Sequence, residues 1–445
     1  MKFPAYPAYR PSATEWLGNV PAHWKVLSIK RLTPVSRGAS PRPIEDPKYF
    51  DDEGEYAWVR IADVTSNDHY LRETTQRLSE IGKSLSVPLE PGSLFLSIAG
   101  SVGKPMITAI KACIHDGFVY FPYLQINPEY LYYVFDSGQP YLGLGKLGTQ
   151  LNLNTDTVGN IKIGLPPKSE QDAIVSFLDW KTAQIDALIA KKQALIEKLK
   201  EKRLAVITQA VTKGLDPSVP LQDSGISWLG QVPEHWEIKR LRFATEKIEQ
   251  GWSPQCDNQP AEDEAWGVMK VGCVNGDQFD PLENKALPLE LTPLPEYELR
   301  PKDILVSRAN TKELLGSAAI VPENVRSKLL LCDKLFRLRS VSGVDEEFLT
   351  CYLRTPIARY QYEREATGAS GSMQNIGQGT LKNLAVPLPP LDEQKQIYRH
   401  ITCETAKLDA LTDRVGSAIT RLTEYRTTLI TAATTGKIDV RQIEI

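Results

Sequence analysis

Three motifs hold residues of the kind that handle phosphates or bases. Gly143, Gly145 and Gly148 spell GxGxxG, the spacing that lets a backbone approach a pyrophosphate at a strand-turn-helix junction. Here a helical pattern precedes the glycines and a polar loop follows, so they read as loop. GSVGKP, Gly100 to Pro105, resembles a phosphate loop, but Ile98 stands where its first glycine belongs and Pro105 where a Ser or Thr should hold magnesium. Two LPP triplets, from Leu165 and Leu388, resemble the end of a base-holding DPPY-type loop but lack its preceding polar residue and following aromatic. A residue before proline avoids helical angles, so both triplets read as rigid breaks.

Metal and thiol chemistry have no better support. Cys113, Cys256, Cys273, Cys332, Cys351 and Cys403 are scattered without a CxxC pair, and no histidine joins them in a zinc-ligand pattern. They read as reduced thiols, and we expect no metal site. No nucleophile, base and orienting acid assemble, so the expectation is a chain that catalyses nothing.

The elements that would position any site come from a 445-residue chain, long enough for two to four domains. Its 42% apolar and 24% charged residues exclude a disordered or fibrous protein. No apolar run is long enough to span a membrane, and the start lacks a signal-peptide core, which reads as cytoplasmic. The net charge of -3 argues mildly against nucleic acid until the basic residues are located.

Internal repetition is the strongest signal. SATEWLGNVPAHW, Ser12 to Trp24, returns 212 residues later as SGISWLGQVPEHW, Ser224 to Trp236. LPPKSEQDAIVSFLDWKTAQIDAL from Leu165 returns 223 residues later as LPPLDEQKQIYRHITCETAKLDAL from Leu388. The chain is a tandem duplication whose second middle segment is 11 residues longer and has drifted almost beyond recognition. Framework is retained at the ends, and the middles are free to read different things.

In each copy the WLG block reads as a turn with tryptophans that pack. Runs such as Tyr56-Val64, Ser93-Gly100, Trp266-Val274 and Asp303-Asn310 read as strands. Glu129-Gly138 and Glu346-Pro356 read as short helices, followed by polar glycine-rich loops at Gly143-Asn154 and Ala366-Gly377. This is an α/β domain of about 150 residues. After each LPP comes a long helix. Leu408, Leu411, Val415, Ala418, Leu422, Tyr425 and Leu429 keep 3-4 spacing, a heptad seam. Ile185, Leu188, Leu195, Leu199 and Val206 form the looser seam of the first copy, interrupted by Lys192 and Lys202, with Ile189 and Ile196 beside it. Two copied helices are expected to pair antiparallel about a pseudo-two-fold axis. The basic stretch Lys191, Lys192, Lys198, Lys200, Lys202 and Arg203 reads as a solvated face.

These paired blocks, WLGxVPxHW openings and LPPxxEQxxI followed by a long helix ending near Gly214 and Gly436, resemble the specificity subunit of type I restriction-modification systems over essentially the whole chain. Glu170-Gln171 with Ile174, and Glu393-Gln394 with Ile397, carry the match into both helices. The resemblance implies an α/β fold class: two α/β target recognition domains joined by two long helices that form an antiparallel coiled coil. Its implied divisions are 1-164 and 216-387 for the recognition domains, with 165-215 and 388-445 for the helical regions. It further implies a non-catalytic reader of double-stranded DNA with a split recognition sequence. Two modification subunits would bring S-adenosylmethionine and methylate adenine, and two restriction subunits would bring ATP-driven translocation and cleavage with magnesium. No cofactor is expected in this chain. A helix of about 30 residues spans about 45 Å, comparable with about 13 base pairs, so the helices can act as a ruler.

Candidate DNA contacts are polar residues at strand ends and loops: Arg37, Arg60, Lys104, Lys146, Gln150 and Asn152 in the first domain. In the second they are Gln255, Lys270, Arg308, Asn310, Lys312, Gln374 and Asn375. Arg suits guanine edges, Asn and Gln suit adenine, and Lys mainly neutralises phosphate. Rival readings are a self-contained methyltransferase, which needs a cofactor-binding sheet that the sequence lacks, and a scaffold without base preference.

Overall fold

The computed structural model describes residues 3-142, 144, 153-276, 278-368 and 373-443. The chain divides into two compact units, Met1–Gln193 with Gly416–Ile445, and Ala194–Val415. Each unit holds one α/β domain, the start of one long helix and the end of the other.

In the first unit, strands Tyr9–Pro11 and Asn19–Pro21 pair antiparallel around the WLG turn, with Gly18 in the left-handed region. Strand Lys25–Ser28 pairs antiparallel with Lys162–Leu165, tying the start of the domain to the residues just before the LPP break. Between them lie two mixed sheets. The five-stranded one runs Ser36–Arg37, Phe118–Tyr120, Leu94–Ser97, Pro105–Thr108, Tyr70–Leu71. The four-stranded one runs Gln76–Leu78, Tyr56–Val59, Ala112–Ile114, Val87–Leu89. Apolar residues of both sheets, including Val59, Phe95, Met106, Ile114 and Phe118, share one core. Four short helices follow the chain: α1 (Ile61–Ser66), α2 (Glu80–Ser84), α3 (Pro128–Asp136) and α4 (Thr155–Asn160). The expected strand at 56-64 therefore ends at Val59. Asp63 accepts from the backbone N–H of Arg60 and turns the chain into α1. In α3, Asn127 caps the N-terminus and Pro128 follows it, while Tyr130 through Phe135 are all buried, as befits a helix apolar all round.

The second unit repeats the plan. Leu221–Asp223 pairs with Gln231–Pro233, and Glu237–Arg240 pairs with Ala385–Leu388, both antiparallel. A four-stranded antiparallel sheet runs Thr245–Gln250, Leu335–Ser340, Ile304–Ser307, Ala318–Ile320. A three-stranded sheet runs Asn284–Ala286, Gly267–Met269, Leu329–Leu330.

Three short helices and the second long one belong to this copy, after α5 (Lys168–Lys213). They are α6 (Glu346–Leu353), α7 (Pro356–Glu365), α8 (Gln378–Asn383) and α9 (Leu391–Thr434). The helical segment expected over 346-356 ends at Leu353, and Pro356, after the capping hydroxyl of Thr355, takes the first helical position of α7. The run expected as a strand over 266-274 is strand only to Met269 and then a 3-10 turn.

The long helices contain 46 and 44 residues, half as long again as the sequence reading allowed. Their buried line corrects the expected seam. Leu188, Leu195 and Leu411 are 43%, 41% and 42% exposed. The inward line of α5 runs Thr182, Ile185, Ile189, Lys192, Ile196, Leu199, Arg203, Val206, Ala210, in unbroken 3-4 spacing. That of α9 runs Leu408, Thr412, Val415, Ile419, Leu422, Arg426, Leu429, Ala433, so Tyr425 also lies outside it, 46% exposed. Choosing the most apolar residue at each turn missed a seam that tolerates Lys, Thr and Arg, whose aliphatic stems pack while their heads reach solvent or a carboxylate.

The two helices pack together and run antiparallel. In the first unit Arg426 of α9 ion-pairs with Asp186 of α5 at 3.1 Å. In the second, Arg203 of α5 ion-pairs with Asp409 of α9 at 3.1 Å. Moving up α5 from 186 to 203 moves down α9 from 426 to 409, the same number of residues. The 223-residue repeat offset turns Asp186 into Asp409 and Arg203 into Arg426, so each ion pair is the image of the other. Each unit therefore holds the same helix-to-helix contact, repeated with the duplication.

Candidate nucleic-acid interface

The residues repeated between the copies form a joint rather than a reading surface. In the first unit Glu170, 4% exposed, accepts from Trp24 Nε1 at 2.8 Å and lies 2.9 Å from His23 Nε2. Tyr6 donates its hydroxyl to the same carboxylate, and burial and that bond push its pKa well up, so it stays a donor. Gln171 accepts from the backbone N–H of Asn127 at 3.0 Å and donates to the Pro166 carbonyl at 2.9 Å, fixing the cap of α3 to the start of α5.

The second unit has the same joint. Glu393 accepts from Trp236 Nε1 at 3.1 Å and meets His235 Nε2 at 2.8 Å. Gln394 accepts from Asp345 N–H at 2.8 Å and donates to the Pro389 carbonyl at 2.8 Å. The WLG blocks, the Glu-Gln pairs and the LPP breaks are therefore parts of one device, and the packing reading of the tryptophans gains a polar purpose. Gly436, after α9, packs on Pro21 and Trp24, and Gly214, after α5, packs on Trp236 and Pro233. Both glycines have positive φ, where a side chain would be strained.

The candidate reading residues lie on the drifted middles. Arg60 stands at the end of strand Tyr56–Val59, where it precedes α1 and hydrogen-bonds Thr75, while its Nε is buried without a hydrogen-bond partner. Lys104 donates to the Val64 and Asn67 carbonyls at 2.7 and 2.8 Å, closing the C-terminus of that same helix; burial lowers its pKa. Its ammonium is thus engaged within the domain. Arg37 is exposed on the edge strand Ser36–Arg37 and donates to the Asp116 carbonyl. Lys146, Gln150 and Asn152, with Gly143, Gly145 and Gly148, lie outside the described residues.

In the second domain four candidates converge. Strand Ala309–Asn310 pairs antiparallel with Gln374–Asn375, opposing Asn310 to Gln374. The N–H of Ile376 donates to the Arg308 carbonyl at 2.9 Å, so Arg308 lies at the end of this ribbon. Asn310 is buried and its Nδ2 donates to Asn275 Oδ1 at 2.9 Å. Gln374 Oε1 is buried without a hydrogen-bond partner. Lys312 is exposed two residues beyond the ribbon. Lys270 ends strand Gly267–Met269 as Arg60 ends Tyr56–Val59, and leads into the 3-10 turn Val271–Val274 that Asn275 caps. Gln255 is exposed in the irregular stretch before that strand. The pairing of residues 309-310 with 374-375 spans 65 positions, so sequence periodicity had no means of finding it.

Two unlike α/β domains, each locked by one joint to an antiparallel helix pair, define a duplicated recognition scaffold. The model for the type I restriction modification DNA specificity domain matches residues 21–198 and 261–414. The chain belongs to the family of type I restriction-modification specificity subunits, DNA-recognition components rather than catalysts. It is 24% identical over 439 residues to the EcoKI specificity subunit of Escherichia coli K12, covering 95% of this chain and 90% of that relative. The EcoEI specificity subunit of Escherichia coli is 29% identical over 226 residues, a match that spans half of this chain and 38% of that relative. Among solved structures, the fold matches a chain described under "complex assembly and conformational transition of the type I R-M system" with TM-score 0.69 and 16% identity, covering 93% of this chain and 98% of that one. It also matches the HsdS subunit of Thermoanaerobacter tengcongensis, with TM-score 0.51 and 18% identity, over 94% of this chain and 98% of that one. Among the described residues, no helix is long and apolar enough to cross a membrane.

Proposed function

We propose that the chain reads a split DNA sequence, each α/β domain reading one half while the helix pair sets the unread gap and docks two modification subunits. The observation that carries the reading is the reciprocal pair of ion pairs, Asp186 with Arg426 and Arg203 with Asp409. It supports two copies of one reading unit, and the unlike sheets they bear suit two different half-sites. Gln374 Oε1, buried without a hydrogen-bond partner, is a polar atom whose cost a base edge would offset, which supports the 309-310/374-375 ribbon as a reading element, whereas Arg60 Nε lies 3.8 Å from the Asp63 carboxylate. The chain itself would need no cofactor. S-adenosylmethionine would belong to the modification subunits, and ATP with magnesium to two restriction subunits, in the cytoplasm.

Methylome sequencing of a host expressing this chain with its modification partner tests the reading: a split motif is expected, and modification without any motif would refute it. Exchanging residues 24-164 for those of a relative should change one half of the motif only. Inserting whole turns into both α5 and α9 should lengthen the gap by about 1.6 base pairs per turn and leave both halves unchanged. A motif-free gel-shift result would favour the scaffold reading.

A further inference from the structure

Directly after its WLG block the second unit carries a basic cleft that none of the reading elements uses. It measures about 590 Å³ and is lined by Arg240, Arg242 and Arg364 together with Trp228 and Asn383. All three arginines are exposed. Arg240 donates to the Asn383 carbonyl at 2.7 Å and Arg242 to its side-chain oxygen at 3.2 Å, so one asparagine fixes two guanidinium groups. Each guanidinium carries five N–H donors, which leaves most of them available. Arg364 lies over the ring of Tyr360, itself 6.2 Å from Trp228. The one carboxylate lining the cleft is Glu365, which makes a marked positive patch on a chain of net charge -3.

We propose that this cleft binds the phosphodiester backbone of the DNA duplex, anchoring the second domain without reading sequence; the proposal rests on the chain being a DNA reader. Guanidinium forks match phosphate oxygens in geometry, and aromatic faces beside them accept sugars. The lining is mainly polar, whereas a protein-docking surface needs an apolar centre. The first unit keeps part of the lining: Lys30 stands where the repeat offset puts Arg242, Asn160 where it puts Asn383 and Trp16 where it puts Trp228, while Ser28 replaces Arg240. A contact that follows the backbone is the same for any half-site, so a basic residue at the Lys30/Arg242 position suits two different half-sites.

The test compares the full chain with a variant carrying Arg240→Gln, Arg242→Gln and Arg364→Gln, using fluorescence anisotropy. The probes are a duplex with the methylome-defined site and a duplex with both halves scrambled, each from 50 to 200 mM salt. The variant is expected to lose affinity about tenfold or more for both duplexes alike, with the salt slope reduced by about 2 to 3 and site preference retained. The matching Arg→Lys variant, which keeps the charges, should recover most of the slope and serves as the folding control. An unchanged slope and affinity would overturn the proposal, as would normal DNA binding with lost assembly on the modification subunit. Failure of the underlying reading looks different: the unaltered chain would not distinguish the two duplexes.

Discussion

The first domain packs α3 against its sheet with stacked aromatic rings, whereas the second buries an ion cluster in its sheet. In the first, His69 lies stacked 3.6 Å from the Tyr132 ring of α3 and 4.3 Å from Tyr70. Glu129 meets His69 Nε2 and the Tyr70 hydroxyl, both at 2.7 Å. In the corresponding sheet of the second, Arg337 is 1% exposed. It donates to Glu249 at 2.7 Å, lies 3.7 Å from Asp303, and reaches the Glu296 and Glu298 carbonyls at 2.8 Å. Arg337 opposes Leu305 in its sheet, and at the equivalent place in the first domain Tyr120 opposes Phe95. The same plan of strands therefore tolerates an ion cluster in one copy and an aromatic pair in the other. The joint to the helices, by contrast, is the same in both. Reading surfaces diverge where the fold requires only shape, and the frame is retained where hydrogen-bond geometry must close.

That contrast can be broken most forcefully at Arg337. Replacement by Ala removes the fully buried cation of the cluster, leaving Glu249 with only Lys247 and Asp303 with only Arg339, and should cost about 3 kcal/mol, read by chemical denaturation. Hydrogen exchange should place the loss in the second unit and spare the amides of α3. Arg337→Met should cost much less than Arg337→Ala if shape alone is required of the site; equal losses would contradict that view.

The joints provide a sharper comparison. Glu170→Ala strands the Trp24 indole and the Tyr6 hydroxyl in a buried place, releases His23 to solvent, and should cost about 2–3 kcal/mol. Glu393→Ala, whose side chain is 27% exposed, strands two and should cost about 1 kcal/mol. Equal costs would mean that the Tyr6 bond adds nothing.

Along the helices, Ile189→Asp in the first unit and Ile196→Asp in the second should each cost about 2 kcal/mol, because a carboxylate enters the seam. Leu188→Asp and Leu195→Asp, one residue earlier on exposed positions, should cost under about 0.5 kcal/mol. A salt-dependent effect is expected at Arg426, which bridges Asp186 and Asp136 at 3.1 and 2.9 Å in the first unit. Arg426→Ala should cost about 1 kcal/mol at low salt and less at 0.5 M salt, where half-exposed ion pairs are screened.

Particular residues show how far the sequence could be read. The helix around Glu129 was legible because Asn127, Pro128 and a run of apolar residues declare it locally. The strand at Tyr56 was legible too, but not its end, since nothing in IADVT marks a helix until Asp63 is seen bonding back to Arg60. The seam was half legible: its spacing was found, while its phase slipped by one residue at Leu188 and Leu195, where two apolar residues are adjacent and only the partner helix selects one. Among candidate reading residues, Arg308, Asn310, Gln374 and Asn375 were picked by chemistry alone, and their meeting on one ribbon is a matter of folding.

What the order of residues determined was the duplication, the two long helices and the α/β character of what lies between, because repeats, periodicity and turn residues are properties of near neighbours in the chain. The partner of Glu170, the phase of the seam and the assembly of the ribbon emerged only in three dimensions. Each depends on a group more than 60 residues distant, and directional hydrogen bonds and close packing select that group only after the chain has closed upon itself.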